Sequence, residues 1–137
     1  QTSYPYYNEK VSEIHDGTKI PDAICASSVY LAKKTDAAAI AVLTSSGATA
    51  FEIASYRPNA DILVFTGNPN LIKQLSLLWG VKTFIYDKFE STDGSIHDVN
   101  KFIVRNNYVK PGSIIINTAS TPLIEKGKTN TIRVSQL

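Results

Sequence analysis

An apolar run that breaks into hydroxyl side chains and one glycine is the stretch of this sequence best suited to bind a ligand. The strand-like run Ala39–Leu43 leads into a helix-like segment through five such residues: Thr44, Ser45, Ser46, Gly47 and Thr49. The first N–H groups of a helix have no partner within the helix and carry partial positive charge. The pattern therefore predicts a phosphate-binding loop. The same residues also suit a plain helix cap, in which Ser46 or Thr49 satisfies the first N–H groups and Gly47 relaxes the turn.

The composition indicates a globular domain and disfavours two classes of partner. Of the 137 residues, 43% are hydrophobic and 19% are charged, and the formal net charge is only +2. So small a net charge does not indicate a surface that binds nucleic acid or a membrane. The apolar runs are too short for a transmembrane helix. The length fits one domain over residues 1–137. The lack of methionine, even at position 1, suggests a piece excised from a longer chain.

Residues that could support metal or nucleophilic chemistry are few and scattered. Cys25 is the single cysteine, so the chain can form neither an internal disulfide nor a cysteine zinc site. We expect a small buried side chain in a cytoplasmic protein. His15 and His97 have no second ligand at metal-binding spacing, so they are expected to be solvated or capping residues. Ser46 has no histidine base near its loop, and a hydrolase is therefore not expected.

Short apolar strands alternate with amphipathic helices along the chain. Strands are predicted at 39–44, 62–65, 81–86, 113–117 and 130–136, with helices at 21–34, 48–55, after Pro69 and over 96–103. This alternation predicts a mostly parallel sheet with helices on both faces. Ligands bind such sheets beyond the carboxyl ends of the strands, which places the Thr44 loop and a polar loop at 118–129 on one rim.

Two large side chains next to predicted turns are assigned structural roles. Trp79 closes a helix just before Gly80 and is predicted to lie in the core. Arg57 precedes Pro58 and is expected to tie down the loop ahead of the second strand.

Four motifs resemble the C-terminal domain of pyruvate kinase. They are 42–50 (VLTSSGATA), 55–58 (SYRP), 65–69 (FTGNP) with 79–81 (WGV), and 110–112 (KPG) with 129–134 (TNTIRV). They follow the family's order and spacing and together span nearly the whole chain. The resemblance implies a three-layer α/β/α sandwich whose mixed five-stranded sheet has the order 3-2-1-4-5, with the last strand antiparallel. It also implies an α/β core at 17–137 and a lead-in from the parent's barrel domain at 1–16.

The resemblance places an allosteric site for a phosphorylated effector, often fructose bisphosphate, at this rim. The candidate residues for binding the effector are Thr44, Ser45, Ser46, Gly47, Thr49, Ser120, Lys126 and Lys128. Many members that respond to fructose bisphosphate have Lys in place of Ser45 and Arg in place of Ala48, with Trp and Arg in the second loop. Each missing charge-assisted hydrogen bond is worth ~1.5–3 kcal/mol. We therefore expect a cradle for one phosphate rather than strong binding of a bisphosphate.

The resemblance further implies regulation and assembly rather than catalysis. Pyruvate kinase transfers phosphate from phosphoenolpyruvate to ADP in glycolysis within a barrel domain that holds magnesium and potassium ions, and no stretch here resembles that barrel. We therefore expect the chain alone to be inactive and without cofactors.

Self-association is also expected, because pyruvate kinases are commonly homotetramers whose C-terminal domains meet near the last strand. The segment 130–136 alternates apolar and polar residues, with Arg133 as its one charge, and lacks the Pro and Lys that protect a free edge. The alternative is that the loop before it, or Tyr4–Tyr7, covers this edge.

Two other functions remain open on the sequence alone. A stand-alone α/β module could sense a nucleotide or sugar phosphate, or a small enzyme could act on a phosphorylated substrate at the Thr44 rim. The native gene's length separates a fragment from a stand-alone module, because a parent enzyme would carry a barrel of several hundred residues ahead of this region. An assay for phosphate release tests the enzyme.

Overall fold

Five strands alternate with four helices in the parts of the chain that the computed structural model describes, residues 20–88, 91–119 and 131–137. The helices are α1 (Ile20–Thr35), α2 (Ala48–Ser55), α3 (Pro69–Leu75) and α4 (Thr92–Arg105). The strands are β1 (Ala39–Leu43), β2 (Asp61–Thr66), β3 (Val81–Ile85), β4 (Ile114–Ala119) and β5 (Thr131–Gln136). They form one sheet in the order β3-β2-β1-β4-β5. Only the β4–β5 pair is antiparallel, as predicted.

The central strand β1 is buried along its whole length. All five of its residues are apolar and shielded from solvent, which is typical of a strand in a parallel sheet covered on both faces. It pairs in parallel with β2 on one edge and with β4 on the other, so that Val42 lies between Val64 and Thr118. The order of the strands along the chain reverses at β1.

The two faces of the sheet carry separate apolar cores. On one face α1, α2 and α3 pack against residues such as Ile40 and Ile116. On the other face α4, the one helix found there in the described parts of the chain, packs against Ala41, Leu63 and Ile115. Right-handed crossovers account for this division. The chain steps from β1 to β2 to β3 in one direction and must return over the opposite face to reach β4.

A buried polar cluster fixes the last strand to the rest of the domain. Asn117 on β4 is fully shielded from solvent. Its side-chain amide donates to Asn100 Oδ1 on α4 at 2.9 Å, and its Oδ1 accepts from the Ser135 hydroxyl on β5 at 2.8 Å. The Arg133 guanidinium also pairs with the Asp93 carboxylate at the start of α4. These contacts hold β5 in register at the edge of the sheet.

The predicted elements are confirmed, with differences at their ends. β4 continues through Thr118 and Ala119, which were predicted to begin a loop. The prediction that Trp79 lies in the core was wrong, since its side chain is 87% exposed. Helix α3 ends at Leu75, so Trp79 falls in the turn before β3 rather than on the packed face of a helix. The lead-in at 1–16 lies outside the described residues.

Two expectations about single side chains agree with the structure. Cys25 is 2% exposed within the first core, and His97 lies on the exposed side of α4. None of the helices in the described parts of the chain has both the length and the apolar character needed to span a bilayer.

Replacing Asn117 by Ala is expected to lower the free energy of unfolding by roughly 2–3 kcal/mol, because Asn100 and Ser135 lose their shared buried partner. Urea denaturation followed by circular dichroism measures the change. Asn70→Ala, at an exposed position on α3, is the matched control and should change stability by less than about 0.5 kcal/mol. Equal effects of the two substitutions would contradict the role given to this cluster.

Candidate functional site

The hydroxyl-rich loop follows β1 at the point where the strand order reverses. Leu43 is the last residue of β1, and α2 begins at Ala48. Because Val42 pairs with Thr118, the carboxyl ends of β1 and β4 lie side by side at one edge of the sheet. This is the position at which open α/β sheets bind ligands. The predicted adjacency of β1 and β4 is therefore confirmed, whereas the loop predicted after β4 lies outside the described residues from position 120 onward.

The turn of this loop requires glycine. Gly47 is the N-cap of α2 and has φ of 85° and ψ of −7°, in the left-handed region, which strains any residue with a side chain. A Cβ built at this position would also lie 2.9 Å from Cδ2 of Leu71 on α3. The backbone of the loop thus packs closely on α3, and Gly47 serves both conformation and packing.

Two hydroxyl oxygens in the loop already accept backbone hydrogen bonds. Thr44 Oγ1 accepts from the Gly47 N–H at 3.0 Å, and Ser46 Oγ accepts from the Ala48 N–H at 3.3 Å. The capping alternative is therefore partly correct for Ser46, although the N-cap position itself belongs to Gly47. Each hydroxyl keeps its own hydrogen as a donor, and its oxygen is held by a backbone N–H.

The predicted site residues differ in their access to solvent. Ser46 is exposed and Ser45 is half-buried, whereas Thr44 and Thr49 are 9% and 7% exposed. A ligand at the rim would thus meet Ser45 and Ser46 first. Three further predicted residues lie outside the described parts of the chain: Ser120, Lys126 and Lys128.

A polar group that sequence reasoning missed lies close to this rim. The Thr118 hydroxyl is buried and has no hydrogen-bond partner within the described residues. Thr118 lies on the same face of β4 as Ile116, the face covered by α1. The strand pattern could not identify it, because Thr118 was predicted to be the first residue of a loop.

The thiol of Cys25, a residue of α1, contacts α2 but is not a nucleophile. Its Sγ is 4.0 Å from the Thr49 carbonyl oxygen, to which it donates. Burial, followed by the charges of Glu52 and Asp22, raises the pKa of this thiol from 9.0 to about 12. The thiol is therefore protonated at neutral pH and unreactive.

A second concave surface lies at the opposite, amino-terminal edge of the sheet. It encloses about 890 Å³ between α2, the turn before β2 and the turn before β3. Trp79 lines it together with Phe51, which is 40% exposed, and Arg57. Leu77, next to this surface in the chain, is 87% exposed. Such exposed apolar side chains are typical of an interaction surface, which sequence reasoning missed by assigning Trp79 to the core.

No group of three or more His, Cys, Asp or Glu side chains within the described residues is arranged to hold a metal ion.

The fold and the loop define the class of this protein. A sheet of order 3-2-1-4-5 with one antiparallel edge, three helices on one face and a hydroxyl–glycine turn at the reversal point makes a three-layer α/β/α domain. The family model described as "Pyruvate kinase, alpha/beta domain" matches residues 22–135. The chain belongs to this family.

Relatives in bacteria and a solved structure agree with this assignment. The chain is 38% identical over 117 residues to a pyruvate kinase of Geobacillus stearothermophilus and 33% identical over 117 residues to one of Staphylococcus saprophyticus, which covers 85% of the chain and 20% of each relative. The crystal structure of a pyruvate kinase from Cryptosporidium parvum matches 98% of the chain and 26% of its own length, with a TM-score of 0.84 and 22% identity. That likeness shows the shared fold. The chain spans about a fifth of the length of the curated relatives it matches.

Substituting Ala at Gly47 is expected to lower the free energy of unfolding by roughly 2–4 kcal/mol, the sum of left-handed strain and the contact with Leu71. Gly80→Ala is the matched control, since Gly80 has φ of 77° but nothing within 4 Å of an added Cβ. It should lose only about 1–2 kcal/mol, from strain alone. Thermal unfolding of both variants measures the difference, and equal losses would show that the loop does not pack tightly on α3.

Proposed function

We propose that this chain is the regulatory and assembly domain of a cytoplasmic pyruvate kinase, whose catalysis, with its magnesium and potassium ions, takes place in a separate barrel domain. In this proposal the chain alone transfers no phosphate. It binds a phosphorylated effector at the Thr44 rim and joins subunits through β5. The observation that carries the proposal is the Gly47 turn, with its fixed hydroxyl oxygens, at the carboxyl ends of β1 and β4.

The geometry of the loop supports binding of one phosphate group. Thr44 Oγ1 and Ser46 Oγ accept backbone N–H bonds, which leaves the hydroxyl hydrogens to donate to an anion. Ser45 adds a half-buried hydroxyl, and the N-terminus of α2 adds partial positive charge. No Lys or Arg lies within residues 44–51. Affinity for a single phosphate is therefore expected to be modest and to depend on hydroxyl geometry.

Inorganic phosphate titrated into the chain is expected to shift the backbone NMR signals of residues 44–49 more than those of any other segment. Ser46→Ala should weaken this binding by about fivefold, equivalent to about 1 kcal/mol, because one hydroxyl donor is lost. Ser76→Ala, which removes an exposed hydroxyl at the end of α3, is the matched control and should leave binding unchanged. The absence of shifts in 44–49, or shifts confined to other segments, would refute the effector site.

The edge strand supports the assembly part of the proposal. Among the described residues β5 pairs with β4 on one side only, and Val134 at its centre is 49% exposed. An edge of this kind can pair with its symmetry mate to make one continuous sheet across a two-fold axis. The buried Asn117 cluster holds β5 in register, so β5 would lose little conformational entropy on pairing.

Val134→Lys is expected to weaken self-association, because two like charges would meet across the two-fold axis. Sedimentation equilibrium at micromolar concentration measures the mass of the chain before and after substitution. Ile85→Lys is the matched control, since Ile85 is 52% exposed on β3, the other edge strand. A monomeric chain, or equal dissociation by both substitutions, would contradict association through β5.

The amino-terminal edge of the sheet supports the proposal that this domain packs against another part of a longer enzyme. Leu77 and Trp79 are both 87% exposed beside a concavity of about 890 Å³. Burying them against a barrel domain would stabilise the longer protein by roughly 1.5–3 kcal/mol for each side chain. This surface lies at the end of the sheet opposite the Thr44 rim, so the two sites could be occupied together.

A further inference from the structure

A second groove opens on the face of the sheet against which α4 packs. It has a volume of about 350 Å³ and lies between α4 and the carboxyl ends of β2 and β3. The Thr44 loop leads into α2, which packs on the opposite face, and β3 is separated from β1 by β2. The groove is therefore distinct both from the Thr44 rim, the proposed effector site (below, the effector rim), and from the concavity beside Trp79.

The floor of the groove is aromatic. The Phe84 ring stacks on Phe65 with 5.1 Å between ring centroids and meets the edge of Phe102 at 5.2 Å. Tyr108 closes the cluster at 5.0 Å from Phe84. Phe102 nevertheless remains 37% exposed. Part of the ring surface thus faces water and is available to stack on a planar ligand.

Cations surround this floor. Lys101 and Arg105 are four residues apart on α4 and so share one side of the helix, and Lys88, which follows β3, also lines the groove. Within the described residues none of these three cations takes part in an ion pair.

The carboxylates at the groove do not neutralise these cations fully. Asp98 Oδ2 accepts a hydrogen bond from the Tyr86 hydroxyl at 3.1 Å, and Asp87 is exposed at the margin. The same hydroxyl lies 3.0 Å from the Lys88 carbonyl oxygen, so the segment that carries Lys88 is anchored to α4. Three cations and two carboxylates line the groove, so its lining keeps one net positive charge.

We propose that this groove binds a small planar ring that bears a phosphate or carboxylate group. The ring stacks on Phe102 and Phe84, and the anionic group lies between Lys101 and Arg105. A ring without the anion would leave the cations unpaired, and an anion without the ring would gain only solvent-exposed ion pairs, which are weak. The volume suits a single ring with its substituent, at the lower end of the range for ligand pockets.

Phenyl phosphate is the probe, with phenol and inorganic phosphate as its separate halves. We expect phenyl phosphate to bind with a Kd on the order of 1 mM, as suits a ligand of this size. NMR signals of Phe84, Phe102 and Lys101 should shift on binding. Either half alone should bind the groove at least about fivefold more weakly, since each contact contributes about 1 kcal/mol.

Two variants test the two parts of the site. Phe102→Leu should weaken phenyl phosphate by about fivefold to tenfold through loss of stacking. The double variant Lys101→Gln with Arg105→Gln, which changes only exposed side chains, should weaken it by about fivefold. Lys73→Gln on α3 is the matched control and should have no effect. The double variant keeps the test valid even where Phe102→Leu lowers stability.

Other outcomes overturn the proposal. It fails if phenyl phosphate shifts only residues 44–49, which would assign the binding to the effector rim. It also fails if no groove signal moves at about ten times the expected Kd, or if the double variant and Lys73→Gln bind equally. Inorganic phosphate in the same titration reports on the effector rim separately, so failure of one site does not hide the state of the other.

Discussion

Residues 39–43 carry no polar side chain and meet no solvent on either face of the sheet, so β1 is stable only between two parallel neighbours and beneath helices on both sides. That requirement determines the remaining architecture. The chain runs outward from β1 to β3 with helices on one face, and then returns over the other face to pair β4 with β1. The reversal leaves the ends of β1 and β4 side by side, and it leaves α4 as the only helix on its face among the described residues.

The candidate surfaces follow from this arrangement. The rim after β1 carries the hydroxyl–glycine turn. Strand β4 contacts both sides: its Thr118 pairs with Val42 of β1, and its Asn117 accepts a hydrogen bond from Ser135 of β5. The effector rim and the assembly edge thus share one strand. On the face of the sheet where α4 packs, an aromatic cluster lies beside β3, where the described residues place no second helix. The groove proposed as a ring-binding site lies there.

Much of the fold could be predicted because the signals were local. The apolar run in β1, the Gly47 turn and the alternation of short strands with helices each depend on neighbouring residues, and the motifs supplied the strand order. The predictions that failed concerned features that depend on contacts between residues far apart in the sequence. The apolar pattern around Leu75 and Leu78 does not show that α3 ends before Trp79, and the ladder partner of Thr118 is 76 residues earlier in the chain.

The candidate site was predictable in position but not in detail. The hydroxyl residues after β1 could be read from the sequence as hydrogen-bond donors. The sequence could not show that the hydroxyl oxygens of Thr44 and Ser46 already accept hydrogen bonds from backbone N–H groups. The groove beside α4 was not predicted at all, because its rings come from three separate segments: β2 (Phe65), β3 (Phe84), and α4 with the turn after it (Phe102 and Tyr108). Their proximity depends on the return of the chain over β1.

Native-state hydrogen exchange tests most directly the claim that β1 is the element on which the domain depends. The backbone amides of Ala41 and Val42 should exchange only through global unfolding, with a free energy of opening equal to the free energy of unfolding measured in urea. Amides of the edge strands β3 and β5 should exchange through smaller openings with lower free energies. A lower free energy of opening for β1 than for either edge strand would contradict this account of the fold.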